Sequence, residues 1–191
     1  MLGYFDYDWP QIFADAIKEG VWSTLASPAV NPLSEYTASH RKKGVTKFDL
    51  LASATLYPLA GWRFLTASAQ VPHGIQRWRT NVTGEFKVAR YGFDEPDGST
   101  KPTRWLVSRD LKRAQEAIVR QPSLSACTAG PFGIYNTSVV TGQGAGALTG
   151  VLTPTFAVED PYQNTTPGHP DNLGPMVWLG RMLVTIPFIH R

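Results

Sequence analysis

At 191 residues the chain is long enough to bury a core of its own as one domain. Charged residues make up only 17% of it, beside 17 Gly and 15 Pro, which argues against a charge-laced helical protein and favours a loop-rich β protein. The single cysteine, Cys127, excludes an intrachain disulfide framework, and the net charge of +3 is unevenly spread. Residues 1–40 hold one Lys against five acids, residues 41–120 fifteen bases against seven acids, and residues 121–191 two Arg against three acids.

The first eight residues are aromatic and acidic and read as an arm. They lack the basic start and apolar core of a signal peptide. Asp8 is placed to cap a helix opening at Trp9-Pro10, with Ile12, Phe13, Ala16 and Ile17 on one face and Gly20 weakening its end. Residues 23–31, rich in Pro and small side chains, read as a connection, and the basic Arg41-Lys42-Lys43 follows. The stretch 47–57 is ambiguous between strand and short helix and leans to helix, because Pro58 would end it.

From Gly61 the pattern turns β-like. Residues 62–68 suggest a strand contacted on both sides. Glu85 to Tyr91 alternates, with Glu85, Lys87 and Ala89 opposite Phe86, Val88 and Arg90. Pro96-Asp-Gly-Ser reads as a turn, and Thr103 to Val107 as the returning strand of a hairpin. Ser108 then caps a helix over about 108–120, with Asp110 in its first turn, Leu111, Ala114, Ala117 and Ile118 on one face, and Pro122 beyond its end.

The stretch from Gln121 to Val158 contains no Asp, Glu, Lys or Arg. Its flanks, 131–141 and 147–158, read as strands joined by the glycine-rich turn 142–146, and a segment so long and uncharged needs cover on both faces. A Pro/Asn/Gly-rich loop over 160–175 leads to a last strand, Met176 to Phe188, with a bulge expected at Gly180. Strands and helices do not alternate regularly. The expected fold is therefore mainly β or α+β, with antiparallel sheets in a sandwich- or barrel-like arrangement, an N-terminal helix and one helix at about 108–120. A single domain over 1–191 is expected, with 1–46 an arm, helix and linker and 47–191 the β-rich body.

Chemistry-bearing patterns are weak. Gly142-Gln-Gly144-Ala-Gly-Ala147 satisfies the permissive dinucleotide pattern, but Gly150 and Pro154 stand where the following helix is required. His40, His73, His169 and His190 are scattered, and none lies at metal-ligand spacing from Cys127 or another His. No nucleophile elbow or P-loop is present, and Asn81, Asn136 and Asn164 are taken as chance sequons. No catalytic residue, cofactor or metal is expected. The run Met182–Ile189 is too short to span a bilayer, so a membrane is not expected as partner and the expected setting is a virion or host cytoplasm.

These features point to a non-enzymatic assembly subunit packing against copies of itself or other structural proteins, with a virion shell, neck or tail as its setting. The expected interface residues are Tyr4, Phe5, Tyr7 and Trp9 of the arm, Trp78, and Gln143 at the hairpin tip. The alternative is a module binding nucleic acid non-specifically through the basic 41–90 region, with Arg41, Lys42, Lys43, Arg77 and Arg79 facing the anionic partner. In a third arrangement the basic middle of one copy meets the acidic N-terminal segment of the next.

Overall fold

A computed structural model describes residues 8–10, 13, 14, 17, 21, 33, 35, 36, 41–43, 57–68, 71, 72, 78–94, 101–120, 148–151, 154–168, 174 and 176–190. Two 14-residue strands form the spine: β4 (Trp78–Tyr91) and β7 (Val177–His190), paired antiparallel in unbroken register from Trp78↔His190 to Tyr91↔Val177. The outer edge of β4 carries β2 (Leu59–Ala67) and the short β3 (Val71–Pro72), both antiparallel to it. The outer edge of β7 carries β5 (Leu148–Val151) and β6 (Thr155–Val158). One parallel pairing occurs, where β1 (Arg41–Lys43) lies along β2. Among the described residues these strands form one mainly antiparallel sheet, with the helix α1 (Thr103–Arg120) packed on β4 and β7.

Directly opposed residues of antiparallel strands share a face, so the register sorts the spine into two. The first face carries Val82, Phe86 and Val88 of β4 with Met182, Val184, Ile186 and Phe188 of β7. Under it lie Val107, Leu111, Ala114 and Ile118, the stripe that a helical period brings to one side of α1. Trp9, Phe13, Ala14, Ile17, Val21, Leu33 and Tyr36 complete this core, each at most 5% exposed. Burying each of the larger side chains contributes about 1.5–3 kcal/mol, which makes this face the main source of stability.

Two glycines allow the close packing. A Cβ on Gly180 would stand 2.5 Å from Val107 Cγ1 and 2.8 Å from Leu111 Cδ1, so α1 can rest on β7 only where that side chain is absent. A Cβ on Gly84 would collide with the Phe13 ring and lie 2.5 Å from the Arg63 carbonyl oxygen. Gly180 is thus a contact point and not the bulge expected there, since the β4–β7 register passes through Val88↔Gly180 without a shift. The irregularities sit elsewhere, between Phe64 and Thr66 in β2 and between Leu148 and Gly150 in β5.

Other expectations change as well. The second layer over the sheet is α1 with the apolar N-terminal positions, so a sandwich or barrel is not formed among the described residues. The helix expected near the N-terminus is not among the traced elements. Its described positions Trp9, Pro10, Phe13, Ala14, Ile17 and Val21 are helical but give no traced span; all of these but the exposed Pro10 join the core, while Ile12 and Ala16 lie outside the described residues. Residues 103–107 are the opening of α1 and not a returning strand. Thr103, Val107, Asp110, Leu111, Ala114 and Ile118 form one buried helical stripe, stronger than the alternation that five residues can show. Ser108 and Asp110 are therefore inside the helix. Its start is instead tied down by the Thr103 N–H and hydroxyl, which donate to the Phe93 carbonyl at 3.0 and 2.6 Å, and by Leu106 N–H to Pro102 O at 3.1 Å.

Of the uncharged stretch, β5 and β6 fall within the expected second strand. The first strand, the glycine turn and Cys127 lie outside the described residues, as do 47–56 and the Pro96 turn. Among the described residues no helix is long and apolar enough to cross a membrane.

Candidate interaction surface

Two buried carboxylates organise the charge of the molecule. Asp110, fully buried on α1, accepts from the Tyr36 hydroxyl at 2.7 Å and from Arg90 Nε at 2.5 Å on Oδ2, and from Arg109 Nε and Nη2 at 3.1 and 3.0 Å on Oδ1. Arg90 Nη2 continues to Glu35 Oε2 at 2.6 Å, and the Arg90 guanidinium lies over the Tyr36 ring, 5.7 Å from its centroid. Burial, reinforced by the Asp110 charge, pushes the Tyr36 phenol well above its ordinary range. This centre ties Glu35 and Tyr36, β4 and α1 together, and Arg113 adds a further positive charge near Glu35.

The second centre lies on the opposite face of the sheet. Glu85, 1% exposed, accepts from Arg63 Nε on Oε1 at 2.5 Å and from Arg181 Nε on Oε2 at 2.9 Å, with Lys87 Nζ 3.8 Å from Oε1. Arg181 Nη1 also donates to Glu159 Oε1 at 2.6 Å. Burial alone would raise the Glu85 carboxyl. The bonds from Arg63 and Arg181 and the Lys87 charge outweigh it and hold the group below its ordinary value.

Next to this cluster runs a row of hydroxyls, Thr66, Thr83, Thr185 and Thr155, aligned across four strands by register. The Thr83 and Thr185 oxygens are 2.9 Å apart. On the other side of the cluster the same face turns apolar, with Leu59, Ala89, Val177 and Leu179 packed by Tyr57 and Tyr162.

A third feature stands where β4 hands over to α1. Tyr91, Phe93 and Trp105 are 48%, 74% and 47% exposed, and the Thr103 bonds to Phe93 O join the strand end to the helix start. Trp105 lies between two cations four residues either side of it, Lys101 Nζ at 5.8 Å and the Arg109 guanidinium at 5.7 Å from the ring centroid. Arg104 and Lys112 are exposed on the same helix.

The residues expected at a partner surface are differently placed. Trp9 is in the core, 3% exposed and 5.9 Å from the Phe188 ring, so it belongs to the protomer and not to an exposed arm. Trp78 is half-buried at the start of β4. Arg79 lies on the Glu85 face and donates from Nε to Asn81 Oδ1 at 3.0 Å. Arg41, Lys42 and Lys43 form β1, an edge strand whose side chains lie outside the described residues. Tyr4, Phe5, Tyr7, Arg77 and Gln143 also lie outside them.

The cations of the basic middle divide between the two faces. Arg63 and Lys87 meet at Glu85, whereas Arg90 is spent on Asp110 and Glu35. Sequence reasoning missed the Trp105 surface because it placed 103–107 in a strand. The legible signal was Lys101, Trp105 and Arg109 at helical spacing. No family model matches the chain, and a search of curated proteins finds no matching sequence.

Proposed function

We propose that the chain is a non-catalytic assembly subunit that packs against copies of itself or other structural proteins through the outer side of α1 and the adjoining end of β4. The observation that carries this reading is the two exposed rings where β4 hands over to α1, Phe93 and Trp105, with Trp105 flanked by Lys101 and Arg109. Large aromatics and Arg are the usual anchors of protein contacts, and exposed rings such as these are covered when a partner packs on them. A virion shell, neck or tail is the setting we propose on composition, from the low charge and the long uncharged run. The basic side of α1 also supports a second reading, contact with nucleic acid through Lys101, Arg104 and Lys112.

Light scattering behind a sizing column tests the first reading. The wild type is expected at a discrete multiple of 21.0 kDa, and Phe93→Ser with Trp105→Ala is expected to shift it toward the single chain without unfolding it. A wild-type monomer at micromolar concentration overturns the assembly reading. Excess nucleic-acid absorbance in the protein peak supports the second.

A further inference from the structure

The rings and cations on the outer side of α1 stand far from the point where the acidic start of the chain enters the core. Arg104, Trp105 and Lys112 are exposed on one side of the helix, the exposed Lys101 immediately precedes it, and Phe93 lies beside its start. Arg104 is 62% exposed even with Asp94 3.9 Å away. This surface is aromatic and positively charged, and its complement is aromatic and negatively charged. The first eight residues have that chemistry. Tyr4, Phe5 and Tyr7 stand among Asp6 and Asp8, with no Lys or Arg.

Reach decides which copy the arm can meet. Residues 1–7 lie outside the described residues, but the chain that follows them is anchored, because Trp9 is buried against Phe188 near the end of β7. α1 starts at the other end of the spine, where Gly92 N–H donates to the Met176 carbonyl and Thr103 to that of Phe93. The rise of an antiparallel strand sets Phe188 and Val177 about 36 Å apart. Tyr4, even in a fully extended chain, lies within about 14 Å of Asp8. An arm of that length does not reach the Trp105 surface of its own chain.

We propose that residues 4–8 of one copy dock on Phe93, Trp105, Lys101 and Arg104 of a second copy. This rests on the assembly reading and names the partner segment. The rings of Tyr4, Phe5 and Tyr7 pack on Phe93 and Trp105, while Asp6 meets Lys101 and Arg104. Because arm and acceptor lie at opposite ends of the spine, the contact closes by exchange across a two-fold axis or runs head to tail round a ring.

Charge reversal in the full chain tests this, read by light scattering behind a sizing column with the melting temperature as a check on folding. Asp6→Arg and Arg104→Asp are each expected to raise the dissociation constant of the oligomer about tenfold or more without unfolding the chain. Mixed one to one, the two variants are expected to reassemble, since each brings the half that the other lacks. A contact within one chain gains nothing from mixing. Phe5→Ser, which changes no charge, is expected to weaken assembly as well. An oligomer that survives Asp6→Arg and Phe5→Ser, yet dissociates with Phe93→Ser and Trp105→Ala, keeps the assembly reading and overturns this partner. So does a mixture of folded variants that fails to reassemble. Dissociation of the wild type by nuclease also overturns it, and assigns the α1 cations to nucleic acid. A wild-type monomer at micromolar concentration overturns the assembly reading and this proposal together.

Discussion

Asp110 and Glu85 are both carboxylates buried to within 1% and held by Arg, yet they do different work. Asp110 is enclosed between α1, β4 and Tyr36, and it accepts from Tyr36, Arg90 and Arg109. Glu85 sits on the sheet face away from α1, and its Arg partners are each 30% exposed. The difference teaches that burial of a charge does not by itself mark function. What separates the two centres is how far their Arg partners are withdrawn from water, 12% and 21% exposed at Asp110 against 30% each at Glu85.

That contrast can be broken most forcefully at Asp110. Replacing it by Ala strands Arg90 and the Tyr36 hydroxyl in the interior. Loss of one partner from a buried pair costs about 3–5 kcal/mol, a drop of roughly 10–15 °C in melting temperature for a chain of this size. Little change on thermal unfolding would show that the centre is open to water after all.

Glu85→Gln is expected to cost less, about 1.5–3 kcal/mol, because its half-exposed Arg partners can turn to solvent. pH separates the two centres further. The Glu85 carboxyl is depressed in the folded state, so its contribution is present above its ordinary value of 4.5 and is lost as pH falls below it. Tyr36 is raised, so its contribution is present below its ordinary value of 10.0 and is lost as pH rises beyond it. Denaturant midpoints across pH should show Glu85→Gln flattening the acid limb and Tyr36→Phe the alkaline one. If either variant flattens the opposite limb, the assignment of roles fails.

The smallest effect concerns the covered face alone. Gly180→Ala forces a methyl against Val107 and Leu111, which costs about 1–3 kcal/mol and is partly offset by the 0.4–1 kcal/mol gained from a stiffer unfolded chain. The melting temperature should fall by a few degrees while the acid limb set by Glu85 is unchanged. A stabilised Gly180→Ala would mean that α1 does not rest on that residue.

Local pattern carried part of this fold. The alternation over 85–91, the last strand, and the helix from Leu111 onward were legible because each repeats its period several times in a row. The five residues 103–107 were too few to separate a period of two from one of 3.6, and the helix start depends on the carbonyl of Phe93, ten residues upstream. At Gly180 a bulge and a close approach are equally good local reasons for glycine. Only the position of α1 decides between them.

The candidate sites were less legible. Glu85 alternates with Lys87 and Ala89 and reads as a solvent-facing acid, because the partners that bury it come from 22 and 96 residues away. Alternation already sets Arg90 opposite Lys87, but its partners Asp110 and Glu35 lie 20 and 55 residues away and leave no local signal.

By itself, then, the sequence determined the β-rich character, the low and uneven charge and the main periodic elements, since these depend on composition and on neighbours within a turn or two. The tertiary structure decided which face of each strand packs against α1 and which cations close on which carboxylate. Those outcomes depend on strand register and helix placement, and both are set by contacts between residues far apart in the chain.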